Sequence, residues 1–360
     1  MTDTHDILAA AVAGQPVYRR TFRKADGRML RLYGLSRHGE APQAQDSDTI
    51  AKGGELRFHP LRQEWNVYAA HRQNRTFKPA ASDDPLSPTL PGGPPTEIPF
   101  TDFEVAVFDN KFAAFHPEAP RPDDVPGIER VAATGACEVI VYTPEATGNL
   151  HTIGQDRRRV LLAAWIDRYE ALFAQGCAYV LPFENRGDAV GVTLHHPHGQ
   201  LYGFGEVPGV QQRAADAFAS GYDLAAEIAR CEADYGIAEA GGVAAYAPRY
   251  ARFPFEVWIA PRAAKQGPWD FDEDELDGFA HLLGDITRRY DAMFGQPTPY
   301  MLALHAAPNG DAEGWHFTAQ VYPLMRSAGR IKYLASVEQH TGVFTVDVMP
   351  EDAARQLRDA

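Results

Sequence analysis

The sequence predicts an α+β fold in which a mostly antiparallel sheet is flanked by helices, and three observations carry that prediction. Short β-branched and apolar runs recur, as in Cys137-Glu138-Val139-Ile140-Val141-Tyr142. Two long stretches, 156–175 and 272–294, change to helical spacing. Helices and strands do not alternate one for one, which argues against a parallel βαβ sheet.

Taken in order, residues 1 to about 50 are a mixed, partly charged stretch, with a polar loop over 39–47. Residues 79–99 hold Pro91-Gly92-Gly93-Pro94-Pro95 and cannot be regular structure. Strands are expected at 104–108 and 137–142. Leu161, Leu162, Trp165, Ile166, Tyr169, Leu172 and Phe173 then form one helical face, which Gly176 ends. Strands resume over 178–183 and continue through the histidine motif to 202. A helix across about 210–235, strands over 253–260, a helix over 272–294 and strands over 300–306, 315–323, 331–337 and 342–348 follow. A short helix at 350–358 closes the chain.

At 360 residues and 45% hydrophobic content, a sizeable core is available. The net charge of −14 argues against nucleic acid and anionic membranes as partners. It leaves room for a local basic cluster that binds phosphate. No stretch approaches a membrane span, and the first residues lack the apolar core of a signal peptide. Cys137, Cys177 and Cys231 are widely spaced and odd in number, so buried free thiols in the cytoplasm are expected.

The chemistry concentrates in His195-His196-Pro197-His198-Gly199-Gln200. Proline fixes its φ and pushes the preceding residue toward extended geometry, while glycine permits close approach. An imidazole with an ordinary pKa near about 6.5 can be a neutral nucleophile at pH 7. Gln200 would share a face with His198 on an extended strand and could donate its amide to a phosphoryl oxygen. The preceding run, 183–194, reads as a strand end, a turn on Asn185 and Gly187, and a second extended stretch. An isolated His-x-His would be an ordinary loop or metal-site feature; the surrounding string promotes it.

That string from Phe183 to Gln200 resembles the active-site segment of galactose-1-phosphate uridylyltransferases, within the histidine-triad superfamily. Further motifs resemble the same family in the same order: Leu61-Arg62-Gln63-Glu64-Trp65, His71-Arg72-Gln73-Asn74-Arg75, Val107-Phe108-Asp109-Asn110-Lys111-Phe112, Phe253-Pro254-Phe255-Glu256, Tyr322-Pro323-Leu324-Met325-Arg326-Ser327 and the closing strand from Lys332 to Glu338. The resemblance implies two histidine-triad-like halves in one compact unit, 1–205 with the nucleophile and 206–360. It implies ping-pong transfer of UMP from UDP-glucose to galactose 1-phosphate or a related sugar 1-phosphate, with His198 carrying the uridylyl group and Gln200 holding a non-bridging oxygen. Arg72, Arg75 and Lys332 would neutralise phosphate, Asn185 and Thr193 would bond to it, and Phe108, Asn110, Phe112 and Phe183 would form the base and ribose pocket. Gly191 and His196 complete the substrate-binding set, and Glu338 would contact a sugar hydroxyl. A homodimer is expected on the same ground.

The chain departs from the family in three places. Many relatives hold a zinc with a Cys-x-x-Cys pair, a downstream histidine and the first histidine of His-Pro-His. Here Asp84-Pro85-Leu86-Ser87 and Ala146 take those positions and only His196 remains. A second metal site of some relatives falls on Ala214, His305 and Thr318-Ala319-Gln320, with His316 nearby. Most ligands of both sites are missing, so no metal is expected to be required. The family's sugar-contacting glutamine falls near Phe344, which leaves the acceptor sugar open. A nucleotide-sugar phosphorylase, a transferase with another base or sugar, and a binding protein that keeps the fold are the alternatives.

Overall fold

The computed structural model describes residues 3–12, 14–47, 50–74, 79, 83–310 and 312–360. It begins with a three-stranded meander, β1 (Asp3–Val12), β2 (Gln15–Arg23) and β3 (Met29–Gly34). The sequence shows only a mixed, partly charged stretch over the first fifty residues, and no strand is expected there. Charge conceals the strands: Arg19 and Arg20 sit within β2 and find carboxylates in Asp6, Asp167 and Asp3. A small separate sheet follows, β4 (Glu55–His59), β5 (Glu64–Tyr68) and later β7 (Arg130–Ala132). The first half is completed by β6 (Val105–Asp109), β8 (Gly135–Val141), helix α1 (Gln155–Ala174), β9 (Tyr179–Arg186) and β10 (His198–Phe204).

In the second half the long helix expected at 210–235 is two helices, α2 (Gly209–Ala219) and α3 (Leu224–Cys231). Gly221, at φ +92°, breaks the run, and Asp223 caps α3 by accepting from the Ala226 amide. Then come β11 (Gly236–Ala240), β12 (Val243–Tyr246), β13 (Val257–Pro261) and α4 (Glu273–Phe294), which opens with a capping box between Asp272 and Glu275. Strands β14 (Tyr300–His305), β15 (Thr318–Pro323), β16 (Met325–Ser327) and β17 (Arg330–Ile331) precede helices α5 (Ser336–Thr341) and α6 (Pro350–Asp359). The strands expected at 331–337 and 342–348 are replaced by a two-residue strand, α5 and loop. Glu338 folds this segment back on itself by accepting from the Lys332 ammonium and the Ala335 amide.

One twelve-stranded antiparallel sheet, ordered β1-β2-β3-β6-β8-β10-β9-β14-β15-β13-β12-β11, joins both halves. Helices α1 and α4 pack against each other and cover one face; Leu161, Trp165, Leu282 and Ile286 join Leu201, Leu302 and Val321 in the main core. The opposite face carries the half-buried residues of β10 and β14, including His198, Gln200 and His305.

The sheet is nearly palindromic about the central β9–β14 pair. Gln200 pairs with Phe183, Phe183 with Ala303, and Ala303 with Gln320, in one row across four strands. At a constant offset, His196-x-His198-x-Gln200-x-Tyr202 recurs as His316-x-Thr318-x-Gln320-x-Tyr322. The second copy keeps the scaffold and has threonine where the first has its central histidine.

Candidate active site

Strand β10 alternates between half-buried His198, Gln200 and Tyr202 and buried Gly199, Leu201 and Gly203. His198 and Gln200 therefore share the face away from α1. The His198 Nδ1 lies 2.7 Å from the His196 carbonyl oxygen. A carbonyl only accepts, so Nδ1 carries the proton and Nε2 holds the lone pair. Burial lowers the imidazole below its ordinary pKa, against the opposing pull of the His196 carbonyl. The result is a neutral imidazole of fixed tautomer at pH 7.

The motif folds this way because its neighbours leave no alternative. A Cβ on Gly199 would come within 2.3 Å of the Tyr142 hydroxyl oxygen and 2.8 Å of the Phe183 carbonyl oxygen. Glycine is needed here for space, since this residue does not have a positive φ. The Pro197 carbonyl accepts from the Tyr142 amide, which continues the β8–β10 ladder into the loop. Behind the loop the His196 side chain is buried. Its Nδ1 donates to Asp84 at 2.6 Å and its Nε2 to the Thr143 carbonyl at 2.7 Å. Burial would raise the Asp84 carboxyl, but hydrogen bonds from His196 and Ser87 bring it below its usual range.

His196, expected among the substrate-binding residues, is buried with both ring nitrogens engaged by the protein, and it anchors the loop that leads into His198. This geometry also tests the zinc position, and the residues do not fit a metal. Both His196 nitrogens are engaged, and Asp84 is the one carboxylate against them. The second metal position fares the same way, because Ala214, Thr318 and Gln320 offer no strong ligand and His316 Nε2 donates to the Pro261 carbonyl. Among the described residues no three histidines, cysteines or acids gather as a metal site would need.

His198 and Gln200 open into a cavity of about 260 Å³. Phe108, Asn110, Phe112 and Thr193, all expected at the site, line it. The Asn110 side chain accepts from the Phe112 amide at 2.8 Å and so shapes this wall. Phe108 is also a core residue, packed with Leu30, Leu32, Leu86 and Ile98.

Several expected residues lie elsewhere. Arg72 donates to the Phe112 carbonyl at 2.7 Å and braces the wall from outside the cavity. Arg75 lies outside the described residues. Phe183 and Asn185 share the face of His198 on the neighbouring strand, but Phe183 packs edge-on against Tyr202 and neither lines the cavity. Gly191 closes a 3-10 turn in the left-handed conformation, at φ +76°. Lys332 and Glu338 are buried against each other at 2.8 Å, which removes both from phosphate and sugar within this chain. The hydrogen bond from Lys332 comes first among the causes that hold the Glu338 carboxyl down at about 2.

The sequence reading missed the opposite wall. Lys24, Asp26 and Arg28, from the β2–β3 connection, face the cavity together with Glu97 and Lys111. Lys24 and Arg28 both pair with Glu97, and the Lys24 ammonium lies 5.5 Å from the centre of the Phe108 ring. Burial would raise the Glu97 carboxyl, yet these two cations pull it below its usual value. Asp26-Gly27 between two β-rich runs was the available signal, since Asp-Gly marks a tight strand connection. Gly27 takes φ +89° there.

Residues 44–208 match the family model described as the N-terminal domain of galactose-1-phosphate uridyl transferase, and residues 218–360 match that of the C-terminal domain. Strands β1–β3 precede the matched region. The chain is 32% identical to a galactose-1-phosphate uridylyltransferase of Thermotoga maritima, covering 85% of this chain and 98% of the relative. It is 29% identical to those of Rattus norvegicus (90% and 95% covered) and Streptomyces lividans (94% and 96%). A solved uridylyltransferase superposes with a TM-score of 0.76 at 25% identity, over 85% of this chain and 97% of that one. An ADP-glucose phosphorylase from Arabidopsis thaliana, at 20% identity and TM-score 0.62, shares the fold over 85% of this chain and 98% of its own.

Proposed function

The chain belongs to the galactose-1-phosphate uridylyltransferase family, and from that premise we propose that it transfers UMP from UDP-glucose to galactose 1-phosphate through a covalent uridylyl-His198. The observation that carries the covalent step is the His198 tautomer: Nδ1 is bonded to the His196 carbonyl, so Nε2 has a free lone pair beside Gln200. Nε2 attacks the α-phosphorus of UDP-glucose. The bond from that phosphorus to the bridging oxygen breaks, and glucose 1-phosphate leaves with the electron pair. The imidazole becomes cationic, and its Nδ1–H bond to a carbonyl oxygen gains strength as it does so. Gln200 donates its amide to a non-bridging oxygen as charge develops there. A phosphate oxygen of galactose 1-phosphate then attacks phosphorus, the Nε2–P bond breaks, and UDP-galactose leaves a neutral imidazole.

Every proton and electron pair in this cycle is held by substrates and His198, so the reading requires no metal. Lys24, Arg28 and Lys111 place cations on the cavity wall that can meet phosphate oxygens, interleaved with Asp26, Asp46 and Glu97. Three buried free thiols support a cytoplasmic setting, and the family resemblance supports a homodimer. No helix among the described residues is long and apolar enough to cross a membrane.

Intact-protein mass spectrometry after incubation with UDP-glucose, without added metal, tests the reading. One uridylyl group should add to the wild type and none to His198→Asn. Galactose 1-phosphate should then discharge the adduct. An equal mass gain in the variant overturns the nucleophile. Discharge by inorganic phosphate in place of galactose 1-phosphate converts the assignment to a phosphorylase.

A further inference from the structure

A second cavity, of about 320 Å³, opens on the same face of the sheet at the counterpart of the nucleotide cavity. Thr318 and Gln320 line it, standing on β15 where His198 and Gln200 stand on β10. The imidazole nucleophile is therefore absent from this copy. The walls differ as well. Phe218, Tyr222, Tyr250, Trp258 and Trp315 surround the opening. Phe218 and Trp315 lie 5.3 Å apart between ring centres, and Tyr250 and Trp258 lie 5.7 Å apart. The Tyr222 and Tyr250 hydroxyls bond to each other at 2.7 Å and tie the two walls together.

Among the described residues no lysine, arginine, aspartate or glutamate lines this second cavity, whereas the first has Lys24, Arg28 and Lys111 interleaved with Asp26, Asp46 and Glu97. A phosphate would find no counter-charge in it. Polar groups are nonetheless present in the form that reads a heterocycle edge. His316 is almost fully buried; its Nε2 donates to the Pro261 carbonyl, which leaves Nδ1 as an acceptor with no bonded partner. His305 uses Nδ1 with the Tyr179 hydroxyl and keeps Nε2 unbonded. Both rings line the cavity, each with one ring nitrogen free of a hydrogen bond. Aromatic walls with a few uncharged hydrogen-bonding groups suit a flat, uncharged ring system.

We infer that this cavity is a second, non-catalytic binding site for an uncharged nitrogen heterocycle of the nucleobase class, taken as the free base or nucleoside. The inference does not depend on uridylyl transfer at His198. The test uses the full-length protein with UDP-glucose saturating the first site. Uridine, adenosine and the corresponding 5′-monophosphates are titrated while tryptophan fluorescence and saturation-transfer NMR are recorded.

At least one nucleoside should bind saturably and more tightly than its monophosphate. Ala214→Phe, which fills the cavity, should weaken that binding by about tenfold or more, the scale of a lost base-stacking contact. Uridylylation of His198 should remain intact in this variant, which also reports its folding. Thr318→Val, nearly isosteric, provides the same comparison if the larger residue disturbs α2. His198→Asn should leave nucleoside binding unchanged. Absence of nucleoside binding, preference for the monophosphate, or indifference to both cavity variants would overturn the site.

Discussion

Glu184→Gln should abolish a pH dependence of stability that the wild type carries. Glu184 is buried behind the strand of His198, with Oε1 accepting from the Tyr300 hydroxyl at 3.1 Å. Burial pushes the carboxyl up from 4.5 to about 7, against the lowering influence of Arg186 and Tyr300. An acid raised in the folded state keeps its proton there while the unfolded chain has lost it. Stability therefore falls as pH rises between about 4.5 and 7 and is level outside that window. At about 1.4 kcal/mol for each tenfold, the wild type loses about 3 kcal/mol across the window. Glutamine keeps the acceptor for Tyr300 and cannot ionise. The variant should match the wild type near pH 4, below the window, and exceed it by up to about 3 kcal/mol near pH 8. Urea unfolding of both proteins across that range reads the difference, from which every other titrating group cancels. A difference that stays constant with pH would refute the reasoning.

Three more outcomes follow from the same geometry. Asp84→Asn leaves the buried His196 without its carboxylate and should cost about 3–5 kcal/mol in urea unfolding, with no rescue by added zinc. Gly199→Ala places a methyl group against the Tyr142 hydroxyl and the Phe183 carbonyl; a loss of about 1–3 kcal/mol and a lower adduct yield should appear in denaturation and mass measurements. Lys24→Met removes a cation from the cavity wall, so steady-state kinetics should give a KM for UDP-glucose raised about tenfold, while the uridylyl adduct still forms at saturation.

Much of this structure is legible in the sequence. Helix α1 was expected over 156–175 and spans Gln155–Ala174, because Leu161, Trp165, Tyr169 and Leu172 recur at helical spacing and Gly176 stops it. Helix α4 was expected over 272–294 and spans Glu273–Phe294. Strands β2 and β3 left only the Asp26-Gly27 turn as a signal, because their charges find remote partners: Arg19 on β2 pairs with Asp167 on α1. A strand that satisfies its charges through tertiary contacts shows no alternation of apolar and polar residues. The placing of Lys332 and Glu338 was hidden for the opposite reason: a local ion pair and a helix turn engage both side chains away from the cavity.

By itself the sequence determined which side chains this protein can use: an imidazole beside a proline, a glycine with no Cβ to clash, and an amide two residues on. It also determined the order of the strands along the chain. The tertiary structure decided what those groups are able to do. The His198 lone pair is available because strand pairing turns the His196 carbonyl onto Nδ1, and burial keeps the ring neutral. The loop stands firm because Asp84, far away in sequence, meets His196. Protonation, tautomer and counter-charge depend on distances between remote segments, and those distances exist only in the folded chain.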